Sequence, residues 1–244
     1  MATEYRRVSD PSPWPSCVEA ALAAPPGLVA FDMDGTLIKG DVGELLMLRR
    51  VAAGDALPAL RAWLGAGDLL AAYRAAARLP RPEHHYVASA LGAEGLDAAD
   101  VGVRVRGLLD EGAIRGRPPV LSLLRALADV GHQVVVVTGS LRVVAEALVS
   151  ALGIPVDRVI GQELVMRGAR LGGRPRGPVL CGAGKVRAWR EAGLDAPLLV
   201  FGDTPPDLPL MGTALLGAVA VPRRGAPLVA AARAAGVSVV LFDD

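Results

Sequence analysis

Apolar residues along this chain fall into two periods. Short unbroken runs, Leu28-Val29-Ala30-Phe31, Val134-Val135-Val136-Val137 and Leu198-Leu199-Val200-Phe201, have the length and continuity of strands buried on both faces. Ala218–Val221 and Val237–Leu241 read as two more. Between them, apolar positions recur at helical spacing over Val120–Val130, Leu141–Leu152, Gly184–Ala192 and Pro227–Ala235, with Gly131 and Gly153 as stops. Arg158–Val165 reads as extended, and the glycines between 168 and 173 predict a hairpin. Strands alternating with helices in this way predict a parallel sheet covered by helices on both faces.

The stretch from Asp41 to about Arg115 differs. Leu45, Leu46, Leu48, Leu57, Leu60, Leu64, Leu69, Leu70 and Tyr73 recur at helical spacing among Ala and Arg. Val103, Val105, Leu108 and Leu109 close the block with another helix, and no strand is expected in it. Residues 1–16 read as a loose arm. Cys17–Ala24 reads as a short helix stopped by Pro25-Pro26-Gly27. The expected organisation is an N-terminal arm (1–26), a core (27–40 and 117–244) and a helical insert (41–116).

Composition narrows the class. Hydrophobic residues make up 52% of the 244 and aromatics only 4%, so Ala, Val and Leu carry the core. The net charge of +1 gives no electrostatic reason to expect nucleic acid or an anionic membrane as a partner. No run approaches the roughly 18 apolar residues of a membrane span. Residues 1–17 lack the apolar stretch of a signal peptide. Cys17 and Cys181 make no disulfide framework and read as free thiols. The expectation is a cytoplasmic protein.

Three of the apolar runs end in polar clusters: Asp32/Asp34, Thr138/Gly139/Ser140 and Asp203/Asp207. Open α/β sheets bind ligands outside the carboxyl ends of their strands, so these clusters are expected to meet. Converging carboxylates repel unless something positive sits among them. An all-oxygen set of this kind suits a hard cation such as Mg²⁺. His84 and His85 are not expected to form a metal pair, because adjacent side chains diverge on a helix.

The segment Phe31-Asp32-Met33-Asp34-Gly35-Thr36-Leu37 resembles the first motif of the haloacid dehalogenase-like superfamily. Thr138 after Val134–Val137 resembles the second, Lys185 in Gly182-Ala183-Gly184-Lys185 the third, and Gly202-Asp203-Thr204-Pro205-Pro206-Asp207 the fourth. The order is that of the family, and the insert resembles its cap domain. Thr138-Gly139-Ser140 and Asp207-Leu208-Pro209-Leu210-Met211 point to the phosphoserine phosphatase-like branch.

The resemblance implies a Rossmann-like α/β core with an inserted helical cap. It also implies Mg²⁺-dependent hydrolysis of a small-molecule phosphate monoester through an aspartyl-phosphate, with a phosphotransferase or phosphomutase as the alternative. Asp32 is then the nucleophile, and Asp34 is the acid and base. Lys185 and the metal neutralise the phosphate. Asp32, Asp203 and the backbone carbonyl of Asp34 hold the metal, and Asp207 holds a metal-bound water or orients Lys185. The Thr138 hydroxyl and the Gly139 and Ser140 amides receive phosphate oxygens, at the start of the following helix. Asp41 falls near the place where phosphoserine phosphatases carry a Glu that meets the substrate amine. It is one methylene shorter, and Gly35-Thr36 stands for the usual Ser-Thr. Asp41 is either a substrate residue or the cap of the first insert helix.

Overall fold

The computed structural model describes residues 4–7, 14–53, 89–90, 92–221 and 227–241. The expected insert positions Leu57, Leu60, Leu64, Leu69, Leu70, Tyr73, His84 and His85 lie outside these.

In chain order the elements are β1 (Tyr5–Arg7), α1 (Ser16–Leu22), β2 (Leu28–Phe31), β3 (Ile38–Lys39), α2 (Val42–Ala52), α3 (Ala98–Asp110), β4 (Arg115–Gly116), α4 (Pro118–Asp129), β5 (Gln133–Leu141) and α5 (Arg142–Leu152). Then come β6 (Arg158–Gln162), β7 (Leu164–Arg167), β8 (Arg170–Pro175), α6 (Ala183–Glu191), β9 (Leu199–Gly202), α7 (Leu208–Met211), β10 (Gly217–Ala220), α8 (Pro227–Ala234) and β11 (Ser238–Leu241).

The main sheet has the order β1-β11-β10-β9-β2-β5-β6, and every pair in it is parallel. Its side chains alternate between two cores, as the two-residue period of a strand requires. Val29, Phe31, Val134, Val136, Leu199 and Phe201 pack with α1, α4 and α5 on one face. Ala30, Val135, Val137 and Val200 pack with Trp189 of α6, Leu210 of α7 and Leu228 of α8 on the other. Phe31 and Phe201 are direct partners in register on neighbouring strands, and their rings stack with centroids 4.5 Å apart. This pairing aligns the ends of β2 and β9, so Asp32 and Asp203 emerge side by side.

The arm departs from its expectation. Tyr5–Arg7 pairs with Val239–Leu241 as an edge strand of the sheet. Three residues without an apolar run carry no strand signal; their backbone hydrogen bonds to an existing edge supply the order.

The insert is entered and left through an antiparallel ribbon of β3 and β4, pairing Ile38 with Gly116 and Lys39 with Arg115. The pattern gave no sign of this ribbon. Gly40, at φ +114°, turns the chain out of it. α3 opens on a capping box between Asp97 and Asp100 and lies along α5. It buries Val101, Val105 and Leu108 in the same apolar cluster as Val29 and Phe31. β7 and β8 form the expected hairpin, and its far strand grips the insert. Gly95 donates to the Leu171 carbonyl at 2.8 Å, and Leu171 donates to that of Leu96 at 2.7 Å. Among the described residues, no helix is long and apolar enough to cross a membrane.

One buried histidine locks the base of the sheet. His132 Nδ1 accepts from the Gly27 N–H at 3.1 Å, so Nε2 carries the proton and donates to the Ala21 carbonyl at 2.8 Å. The ring thus ties α1 to the entries of β2 and β5. His132→Leu removes both hydrogen bonds from a buried position, and unfolding in urea is expected to show a loss of about 1–3 kcal/mol.

Candidate active site

Because β9, β2 and β5 are neighbours, the residues at their carboxyl ends share one rim. Asp32, Asp34, Thr138, Gly139, Ser140, Lys185 and Asp203 line a single cavity of about 350 Å³, joined by Asp41 and Glu44 from the start of α2. Asp207 lies directly behind this wall and is buried. Every site residue expected from the sequence is therefore in or next to one place.

The first turn of α6 aims Lys185 inward, where it is 3% exposed. Its Nζ donates to Asp32 Oδ1 and to Asp207 Oδ1, each at 2.6 Å. Asp207 Oδ2 accepts from the N–H of Asp203 at 3.2 Å, from the N–H of Thr204 at 3.0 Å and from the Thr204 hydroxyl at 2.9 Å. Both Asp207 oxygens are thus taken up by protein donors. This cage holds Asp207 as the counter-charge that fixes Lys185. Thr204 closes the cage. Gly202 makes room for it, since a Cβ there would come within 2.6 Å of the Asp207 Cβ.

Asp34 follows a different course from Asp32. Its Oδ1 accepts from the Val42 N–H at 2.9 Å, at the first turn of α2, and its Oδ2 accepts from the Ser140 hydroxyl at 2.5 Å. The Ser140 N–H, expected as a phosphate donor, donates to Thr138 Oγ1 at 3.0 Å. Gly139 and Ser140 also lie within β5, and α5 begins at Arg142, so these amides are not the opening of a helix. Asp41 Oδ1 accepts from the Glu44 N–H at 2.7 Å, which is a helix N-cap. Asp41 therefore caps α2 and faces the cavity at once. Glu44 was missed, although an acid three residues after an N-cap Asp is a recognised start signal.

The electrostatics are lopsided. The described lining holds five carboxylates, Asp32, Asp34, Asp41, Glu44 and Asp203, against one cation, Lys185. Burial pushes the Asp32 carboxyl up to about 6, although Lys185 pulls it down. Burial, then the charges of Asp32 and Asp207, push Asp203 up to about 9. Burial, then the charge of Asp41, push Asp34 well above the usual carboxylate range. Asp203 Oδ1 is buried with no hydrogen-bond partner. Carboxylate oxygens of Asp32, Asp203 and Asp207 come within 4.8 Å of one another. An unpartnered buried oxygen among like charges fits a divalent cation, and the all-oxygen donor set suits a hard one. Since Asp207 is already saturated, Asp32 and Asp203 are the carboxylates open to it.

This site, on this sheet, belongs to a known class. A family model described as haloacid dehalogenase-like hydrolase matches residues 29–212, and the chain belongs to that family. Within it, the chain falls in the phosphoserine phosphatase-like branch. A phosphoserine phosphatase of Streptomyces coelicolor is 33% identical over 224 residues, covering 88% of this chain and 48% of that protein. One from Halobacterium salinarum is 33% identical over 192 residues, covering 77% of this chain and 82% of the relative. The chain thus spans about half the length of the first relative and most of the second. A solved phospho-aspartyl intermediate analogue of phosphoserine phosphatase superposes with a TM-score of 0.57 at 16% identity, over 89% of this chain and 94% of that one, a likeness of fold.

Gly35 carries the tightest contact in the site. Its φ is +78°, a conformation that disfavours side chains, and a Cβ there would stand 1.9 Å from Asp203 Oδ2. Gly35→Ala must displace the Asp203 carboxylate as well as strain the turn. The expected outcome is a stability loss of about 1–2 kcal/mol in thermal melts, together with weaker divalent-cation binding by calorimetry.

Proposed function

We propose that the chain is a phosphoric monoester hydrolase that uses Mg²⁺ and passes through an aspartyl-phosphate on Asp32. The observation that carries this reading is the Lys185 ammonium on Asp32 Oδ1, in the wall of a cavity shared with Thr138, Gly139 and Asp34. Lys185 occupies Oδ1, so attack on phosphorus falls to Oδ2. As the new P–O bond forms, the bond to the ester oxygen breaks, and Asp34 gives that oxygen its proton. Asp34 then takes a proton from the water that attacks phosphorus, which breaks the bond to Asp32 and frees phosphate. Lys185, the Thr138 hydroxyl and the Gly139 amide receive the phosphoryl oxygens, and Ser140 supports Thr138 through its N–H.

Asp32, Asp203 and the backbone carbonyl of Asp34 would hold the metal. When bound, Mg²⁺ neutralises charge on the transferring phosphoryl group. Asp207 keeps Lys185 in place. Residues 41–116 act as a cap on a core of 27–40 and 117–244. Asp41 is the counter-charge for a substrate ammonium, a reading supported by its place on the cavity wall and by the phosphoserine phosphatase relatives. Its role as the cap of α2 limits how far it can turn toward that group. The two cysteines form no disulfide, which is in keeping with a cytoplasmic setting. Release of free phosphate distinguishes this hydrolase from a phosphotransferase on the same scaffold.

Asp32→Asn is expected to abolish phosphate release while the protein still melts cooperatively. Turnover above a few per cent, with contaminating wild type excluded by mass spectrometry, overturns the nucleophile. Chelation is expected to stop activity and Mg²⁺ to restore it. Asp203→Ala is expected to raise the Mg²⁺ concentration needed for half-rescue by about tenfold or more, the effect of losing a contact worth about 1.4 kcal/mol. Full activity in excess chelator excludes the metal.

A further inference from the structure

We propose that Ser140 is a positioning residue that aims the Asp34 carboxyl at the leaving oxygen, and this rests on the reading of Asp34 as the acid. An aspartate carboxyl rotates broadly about its last side-chain bond, so one donor does not fix its plane. Two donors on different oxygens do. Val42 holds Oδ1 from the first turn of α2, and Ser140 holds Oδ2 from the end of β5. Lys185 donates to Asp32 and Asp207.

Ser140 is itself well fixed. It is 8% exposed, and its N–H is tied to Thr138 Oγ1. A hydroxyl both donates and accepts, so the contact with Asp34 can persist before and after the proton is handed over. The N–H of Val42 only donates. The expected phosphate-side task of Ser140 therefore gives way to one on the leaving-group side.

The test compares an alkyl phosphate with 4-nitrophenyl phosphate, whose leaving group needs little protonation. Ser140→Ala is expected to lower kcat for the alkyl ester about tenfold and for the aryl ester less than about twofold. Ser140→Thr keeps the hydroxyl and is expected to restore the alkyl-to-aryl ratio, whatever its absolute rate. Asp34→Asn, measured alongside, is expected to depress that ratio further. An unchanged ratio in Ser140→Ala, beside a depressed one in Asp34→Asn, overturns the positioning role and leaves the acid standing. An unchanged ratio in both overturns the acid and the inference with it. Melting temperatures identify a variant that merely unfolds, and the ratio is then read on its folded fraction.

Discussion

Mutual repulsion among carboxylates is the constraint on which this structure turns. Stacking of Phe31 on Phe201 brings the ends of β2 and β9 into line, and that alignment forces Asp32 and Asp203 together. Burial first, and then the charges of neighbouring carboxylates, raise the proton affinity of Asp32 and Asp203. The protein answers in three ways. Lys185 is inserted between Asp32 and Asp207. Asp207 is wrapped in backbone and hydroxyl donors. Asp203 Oδ1 is left without a donor, in a setting that fits a divalent cation.

Glycine is the second requirement of the same crowding. At Gly35 and Gly202 the backbone passes so close to Asp203 and Asp207 that a Cβ would displace their side chains. At position 35 the backbone also needs a positive φ, so two independent reasons select the same residue. Gly35-Thr36 in place of Ser-Thr is thus part of how this chain seats Asp203.

The two acids of the first motif, two residues apart, meet different surroundings. Asp32 faces an ammonium from the core. Asp34 is bound by one donor from the core and one from the insert helix α2. The hairpin β7–β8 grips the insert a second time through Leu171 and Arg170, the latter reaching the Gly95 carbonyl at 2.6 Å. The insert is therefore joined to the core where it borders the chemistry as well as along α3 and α5.

Much of this was legible in the sequence. Apolar continuity is a local property of a strand buried on both faces, so β2, β5 and β9 could be read directly, with their polar ends. The order of the acids, the threonine and the lysine pointed to one rim, and the sheet order brought them to it. Tyr5–Arg7 was not legible, because an edge strand held by backbone hydrogen bonds needs no apolar pattern. The two-residue ribbon β3–β4 escaped for the same reason. The partners of polar groups were also beyond reach. Nothing in the spacing of Ser140 says that its hydroxyl turns to Asp34 and its N–H to Thr138, and nothing at Asp207 says that both its oxygens are occupied. Hydrogen bonds act over about 3 Å, and which donor stands within that distance is settled only when the strands have packed. The sequence by itself determined the strands, their acids and the family they resemble. The tertiary structure alone decided which acid faces the lysine, which faces the serine and which is left open.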